Sequence, residues 1–306
     1  MKKRMTLLAT CALALSTSGV SAEILAMMSY ESKPAEDLRS LKLSGTEERR
    51  EGIAIIDVDP NSSKFGEWLA DIPLDATGVA HHLFYDRTMS KLYLTSLGQP
   101  ALQVMEMSDF PPRLKTIDIP NCSMGEDIII DDDNEYWYLT CMNSGNVWQG
   151  RVSDDTVTGE IKLPGTNPHG LAVDTSIDRI LVTSTIKGDL TDPGETISIV
   201  RASTLELLEE IKVSSKPSPS GEAPVELLRV PGGGPPIFLV TNMFGASIWA
   251  LTWNDSRQEF TAEMAVDFSP MKVGVPLEMY FNPEGDKMFA TTAAPGHLHV
   301  FDISEG

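Results

Sequence analysis

Apolar and polar positions alternate in short bursts along this chain, and the bursts repeat. One phrase recurs: an apolar strand, a polar turn, a second strand ending in Thr-Ser or similar, a small-residue turn and a third strand. Three copies are HHLFYDRTMSKLYLTSLGQPALQVMEM, EDIIIDDDNEYWYLTCMNSGNVWQGRV and HGLAVDTSIDRILVTST with its continuation ETISIVRA. Two more are VELLRVPGGGPPIFLVTNMFGASIWALTW and LEMYFNPEGDKMFATTAAPGHLHVFDI. Most are followed by a fourth short strand, as in LKTIDIP, TGEIKLP, LELLEEIKV and EFTAEMAVD. The strand positions carry Ile, Val, Leu, Tyr, Phe and Trp, and the turns carry Asp, Asn, Gly and Pro, which is hairpin chemistry. Almost nothing has the period of a long amphipathic helix.

The repeat length decides the architecture. The inner strands start at His81, Glu126, His169, Glu226 and Glu278, giving separations of 45, 43, 57 and 52. A four-stranded propeller blade needs ~40–50 residues. The two longer units carry insertions, KGDLTDPGE at Lys187–Glu195 and SSKPSPSGEAP at Ser214–Pro224. The stretches EILAMMSY, GIAIIDVDP and GEWLADIPL supply an incomplete sixth unit, and no fourth strand follows Phe301-Asp302-Ile303. The expected fold is an all-β propeller of four-stranded blades, with six blades favoured and seven the alternative. The termini are expected to meet in one blade or to share neighbouring ones. Residues 23–306 form one domain, because no blade buries its faces alone.

Residues 1–22 read as a secretory signal. Lys2, Lys3 and Arg4 precede an apolar run from Thr6 to Leu15, and Val20-Ser21-Ala22 has the small-x-small pattern of a cleavage site. The run is too short to span a bilayer, and no later segment is long and apolar enough. The expectation is a soluble periplasmic or secreted protein without membrane insertion. The net charge is −20, and loss of the signal's three basic residues takes it to −23. That argues against nucleic acid as a partner and allows attraction for cations. The partners to expect are a small molecule or a metal ion, with a protein partner as a further alternative.

Candidate chemistry collects at the entrance of the inner strands. His81, Glu126 and His169 each lie five residues before Asp86, Asp131 and Asp174, and Glu226 lies five before Pro231. Glu278, four before Asn282, is one register off. Convergence of these residues with His82 at a channel mouth would gather imidazoles and carboxylates. Such a donor set suits copper, zinc or another divalent cation, calcium included. His81, His82, His169 and Glu126 are the metal-ligand candidates. Glu126, Glu226 and Glu278 are the candidates for catalytic carboxylates. The alternative is a polar channel whose side chains satisfy each other.

Cys122 and Cys141, the cysteines that survive cleavage, admit three readings: a disulfide, free thiols or metal thiolates. His297 and His299 share one face of the last strand; one is expected exposed and the other packed. Met27, Met28, Met105, Met107, Met243 and Met279 are read as core filler. There is no G-x-S-x-G elbow, no G-x-x-x-x-G-K-[ST] loop, no H-E-x-x-H and no C-x-x-C.

Two stretches resemble the selenium-binding protein family of propellers, which includes bacterial methanethiol oxidases. They are IIDVDPNSSKFGEWLADIPL at Ile55–Leu74 followed by Ala80-His81-His82, and Val275-Pro276-Leu277-Glu278-Met279-Tyr280-Phe281. The resemblance implies a propeller with a metal-capable channel, and an oxidoreductase acting on a small molecule such as a thiol. His81, His82 and Glu278 are the residues that carry over. The chain is shorter than that family's usual length and lacks its paired-Cys motif after the His-His pair. Asn167-Pro168-His169-Gly170-Leu171-Ala172-Val173 looks like the inner strand of lactonase-type propellers, which implies a metal-dependent hydrolase as the alternative. A non-enzymatic binding propeller is the third reading.

Overall fold

The computed structural model describes residues 24–31, 50–75, 77–109, 113–163 and 165–304. The signal segment expected at 1–22, with Cys11, lies outside the described residues. Among the described residues twenty-two strands form six antiparallel sheets, the six blades of a propeller. Blade one holds β1 (Leu25–Glu31), β2 (Glu51–Asp57) and β3 (Trp68–Leu74). Blade two holds β4 (Ala80–Tyr85), β5 (Lys91–Ser96), β6 (Ala101–Glu106) and β7 (Leu114–Asp118). Blade three holds β8 (Gly125–Ile130), β9 (Tyr136–Cys141), β10 (Asn146–Arg151) and β11 (Val157–Lys162). Blade four holds β12 (Pro168–Asp174), β13 (Arg179–Ser184), β14 (Thr196–Arg201) and β15 (Glu206–Lys212). Blade five holds β16 (Pro224–Arg229), β17 (Ile237–Asn242), β18 (Ser247–Asn254) and β19 (Glu259–Asp267). Blade six holds β20 (Gly274–Phe281), β21 (Lys287–Ala294) and β22 (Gly296–Asp302).

Six blades, not seven, close the ring. Among the described residues the first and last blades have three strands each and the other four have four. The N-terminal and C-terminal strands stay in separate sheets, so no blade is stitched from both ends of the described chain. The only helical pieces described are two single turns, Thr175–Ile177 and Ser269–Met271. No helix among the described residues is long and apolar enough to cross a membrane.

Local sequence explains the hairpins. At the end of the inner strand, Asp86 Oδ1 accepts from the Lys91 amide at 2.8 Å, and Asp131 Oδ1 accepts from the Glu135 amide at 2.8 Å. Asn282 Oδ1 does the same for the Lys287 amide at 2.8 Å. These Asx side chains bridge the turn between the first two strands of a blade. Asn134 sits in the left-handed region at φ 58°, which asparagine tolerates better than most residues.

The core is built between blades rather than within them. Ile53 of blade one packs with Leu92, Leu94 and Met105 of blade two. Tyr93 and Leu102 of blade two meet Ile128, Trp137 and Leu139 of blade three. Tyr138 and Val147 then meet Leu171 and Ile180 of blade four. Leu181 and Ile199 meet Leu227 and Phe238 of blade five, and Ile248 meets Met279 and Met288 of blade six. Each fully buried side chain of this kind favours folding by about 1.5–3 kcal/mol, so the stability is collective and a single blade has none of its own.

The disulfide is the reading of the cysteines that the structure shows. Cys122 and Cys141 are bonded, with Cα atoms 5.2 Å apart. Cys141 pairs with Gly125 at the start of β8, so the bond tethers the loop before that inner strand to its neighbour.

Candidate functional site at the bulged inner strands

Five inner strands share one irregularity. In β4, β8, β12, β16 and β20 the pairing with the second strand slips so that two residues oppose one. This is a β-bulge, which breaks the ladder and re-aims side chains. The two-residue bulges are His81-His82, Glu126-Asp127, His169-Gly170, Val225-Glu226 and Leu277-Glu278. The residue opposite is a threonine every time: Thr95, Thr140, Thr183, Thr241 and Thr291.

The threonines repair what the bulges break. An amide left out of the ladder needs another acceptor. Thr95 Oγ1 accepts from the His82 amide at 3.0 Å, and Thr140 from the Asp127 amide at 3.0 Å. Thr241 serves the Glu226 amide at 3.1 Å, and Thr291 the Glu278 amide at 3.2 Å. Several of the hydroxyls also reach the next blade. Thr140 donates to the His169 carbonyl at 2.6 Å, Thr183 to the Val225 carbonyl at 3.0 Å and Thr241 to the Leu277 carbonyl at 2.8 Å. Ser29 of blade one does this for the His81 carbonyl at 2.6 Å.

This frame corrects the register expected from sequence. His81, Glu126 and His169 do share the first bulge position. Glu226 does not join them; it shares the second position with Glu278, His82 and Asp127. The spacing to Pro231 misled because the turn after β16 carries the insertion-like Pro231-Gly-Gly-Gly-Pro-Pro236 and no aspartate. Asp127 is a site residue that the sequence reading missed. Its signal was the threonine in LTC, which pairs it in the frame with His82.

The first-position residues meet. Glu126 Oε1 lies 2.8 Å from His81 Nε2 and 2.9 Å from His169 Nε2, joining blades two, three and four. Its other oxygen, Oε2, is buried with no hydrogen-bond partner. Burial opposes ionisation of Glu126, but the hydrogen bonds from His169 and His81 outweigh it and hold the carboxyl well below its usual range. Burial works against protonation of His169 too. Glu126, with Asp127 and Glu278 nearby, prevails and raises the imidazole above its ordinary value. The His82 ring stacks on His81 with centroids 3.9 Å apart. Burial, followed by repulsion from His81, pushes His82 down to about 4.

The second-position acids behave oppositely. Burial lifts the Asp127 carboxyl to about 7, despite His169 and amides from Leu171 and Ile128. Its Oδ2 accepts from the Leu171 amide of the next blade at 3.2 Å. Burial, then the neighbouring Asp127 and Glu278, raises Glu226 well above the carboxylate range. Glu278 is raised chiefly by burial. Gly170 fills this position in blade four because a Cβ there would lie 2.3 Å from the Val225 carbonyl oxygen of β16.

A cavity of about 260 Å³ opens beside this array, bounded by β1, β4, β16 and β20. His81, His82, Glu226 and Glu278 line it; Glu126 and His169 complete the polar cluster behind. Among the described residues no three His, Cys, Asp or Glu side chains are arranged as a ready metal cage. His297 and His299 lie apart from the channel on β22, the outer strand of blade six. His297 is exposed, while the His299 ring packs on Phe268 with centroids 5.0 Å apart. Met105 and Met279 are core residues, but Met28 is exposed and borders the cavity with Met27.

Known proteins share the fold. No family model matches the chain, and no curated protein matches it. A hypothetical selenium-binding protein from Sulfolobus tokodaii superposes with a TM-score of 0.68 at 11% identity, over 83% of this chain and 68% of that one. A protein from Lactobacillus plantarum gives 0.67 at 13% identity, over 85% and 77%. A protein assigned by name as a 6-phosphogluconolactonase, from Bacteroides uniformis, gives 0.63 at 9% identity, over 82% and 74%. At such identities the likeness extends to the propeller and to no particular chemistry.

Proposed function

We propose that this propeller holds a transition-metal cation at His81, His169 and Glu126, with His82 beside them, and acts on a small molecule in the adjoining cavity. The observation that carries this reading is the convergence of two imidazole Nε2 atoms, from blades two and four, on one oxygen of the buried Glu126. Two nitrogens and a carboxylate suit zinc or copper, whereas calcium prefers an all-oxygen shell. The fit requires the ring protons to leave Nε2. In the neutral His169 ring that frees Nε2, the remaining proton sits on Nδ1, which makes no hydrogen bond. Glu126 Oε2 is a further buried acceptor with no other partner.

A metal bound there would supply Lewis acidity, or redox chemistry if it is copper. The chain's own groups supply the rest. Glu226 and Glu278, whose carboxyls are raised chiefly by burial, are the candidate proton donors to a leaving oxygen or sulfur. Oxidation of a small thiol is the reading that follows from the family resemblance. Metal-assisted hydrolysis is the second reading, favoured by this pair of buried acids with raised carboxyls.

Export from the cytoplasm belongs to the same proposal. It is supported by the signal pattern at 1–22 and by the Cys122–Cys141 disulfide, since such bonds persist in oxidising compartments. The test is elemental mass spectrometry of the purified and metal-reconstituted protein beside a His81→Ala/His169→Ala variant. About one equivalent of zinc or copper, lost in the variant, supports the site. Absence of metal from the wild type, even after reconstitution, rejects it and leaves a binding propeller.

A further inference from the structure

The carboxylate side of the cavity is built differently from the histidine side. Glu226 and Glu278 approach it from neighbouring blades, at equivalent bulge positions. Glu226 is only 9% exposed, yet it lines the cavity. Among the described residues no side chain donates a hydrogen bond to either carboxylate, and no lysine or arginine pairs with them. The backbone amide of its neighbour Leu227 bears on Glu226 and partly offsets the effect of burial. Burying a carboxyl in this way is costly unless something compensates it. Burial raises both carboxyls, so each gives up its proton less readily than an exposed acid.

The remaining walls narrow the choice of ligand. Phe84 and Tyr280 contribute aromatic rings, and Met27 and Leu228 contribute apolar surface. Tyr280 lies close enough to the acids that its hydroxyl is pushed up to about 12 by burial, then by Glu278, Glu226 and Asp127. Among the described residues His81 and His82 are the basic side chains that line the cavity, so an anionic ligand would lie against two carboxyls with no lysine or arginine to pair with it. A hydrated divalent ion would find oxygen ligands on one side only. An organic ammonium matches both halves: its charged head pairs with carboxylates, and its body lies on aromatic and apolar walls. The volume, just under the roughly 300 Å³ at which drug-sized pockets begin, calls for a small molecule. The strongly negative chain would also draw cations toward the mouth.

We propose that the cavity between β1, β4, β16 and β20 is a binding site for a small primary ammonium ion, with Glu226 and Glu278 as its counter-ions and Phe84 and Tyr280 as its walls. The site does not depend on a metal at His81, His169 and Glu126. Binding favours the ionised carboxyl pair, so any proton the pair holds leaves to solvent and the ammonium becomes the compensating charge.

The test is calorimetric titration of the full protein with benzylamine and, in parallel, with its neutral analogue benzyl alcohol, with and without EDTA. Expected are saturable benzylamine binding in both conditions and proton release that scales with the buffer's ionisation heat. Benzyl alcohol should bind at least about tenfold more weakly, and Glu226→Gln should weaken benzylamine by about tenfold or more. Gln matches the protonated carboxyl in shape, and Glu278→Gln provides a second variant should the first fold poorly. Equal binding of the alcohol, no benzylamine binding, or binding unchanged in both variants overturns the proposal. Binding that disappears with EDTA overturns it as well, by assigning the ligand to a metal.

Discussion

The hydroxyl of Thr140 donates to the backbone carbonyl of His169 in the next blade at 2.6 Å. The same oxygen accepts from the Asp127 amide at 3.0 Å. One fully buried side chain therefore closes a bulge in blade three and fixes a site residue of blade four. The bulges at His81, His169, Val225 and Leu277 are each held in this way by a hydroxyl of the preceding blade.

Thr140→Val keeps the shape and removes both bonds. The Asp127 amide and the His169 carbonyl are then left buried, and each unsatisfied group costs about 1–3 kcal/mol. Urea unfolding should show a loss of about 2–3 kcal/mol with an unchanged slope. A loss below about 0.5 kcal/mol, the range of an inert surface change, would mean that the hydroxyl has no structural role.

Glu126 is the main group that raises His169 against the effect of its burial. In Glu126→Gln the carboxylate is gone while a hydrogen-bonding amide remains. Burial should then dominate, and the His169 titration, followed by histidine NMR, should fall from above 6.5 to below it. If the variant's titration stays above 6.5, Asp127 and Glu278 are sufficient counter-ions and Glu126 is not the cause.

Much of this fold was legible because a blade cannot hide its repeat. The inner strands at His81, Glu126, His169, Glu226 and Glu278 were visible from spacing and turn residues alone. Six blades could be separated from seven only when Leu25–Glu31 was seen to form an inner strand of its own. The convergence of His81, Glu126 and His169 was foreseeable from their common register. Glu278 was also read correctly as one register off, but the places of Glu226 and Asp127 were not foreseen. A bulge adds one residue on one strand, so counting from turn residues loses the frame as soon as a turn changes length, as it does after β16. The threonine opposite each bulge is the better anchor, because its role depends on hydrogen-bond geometry rather than on loop length.

Asp127 should mark itself in the pH dependence of stability. Its carboxyl titrates near 7 in the folded state, against 3.8 as the ordinary value. The folded protein therefore holds more protons than the unfolded chain between these values, and stability contributed by this group falls as pH rises from about 4 to about 7. His169, raised in the folded state, adds loss as pH rises through its folded value. His82, pushed down to about 4, works in the opposite sense by losing stability as pH falls from 6.5 toward 4. The difference between wild type and Asp127→Asn isolates the one group. The variant should gain on wild type by on the order of 2 kcal/mol between pH 4 and pH 7. Parallel stability curves would show that Asp127 ionises normally in the fold.

Gly170 tests whether the bulge positions are interchangeable. Four bulged strands carry a polar side chain at the second position, and blade four carries none. A Cβ at Gly170 would lie 2.3 Å from the Val225 oxygen and 3.1 Å from the Leu227 amide nitrogen, both backbone atoms of β16 that cannot rotate away. Gly170→Ala must therefore push β12 and β16 apart. Overpacking of this kind costs about 1–3 kcal/mol. The displacement also acts on the site, because Thr183 holds the Val225 carbonyl and Val225 precedes Glu226. The variant should unfold at lower urea and shift the titration of His169, its direct neighbour. A variant as stable as wild type with an unmoved His169 would mean that β16 yields at no cost. In that case blade four lacks a second site residue for want of selection rather than for want of room.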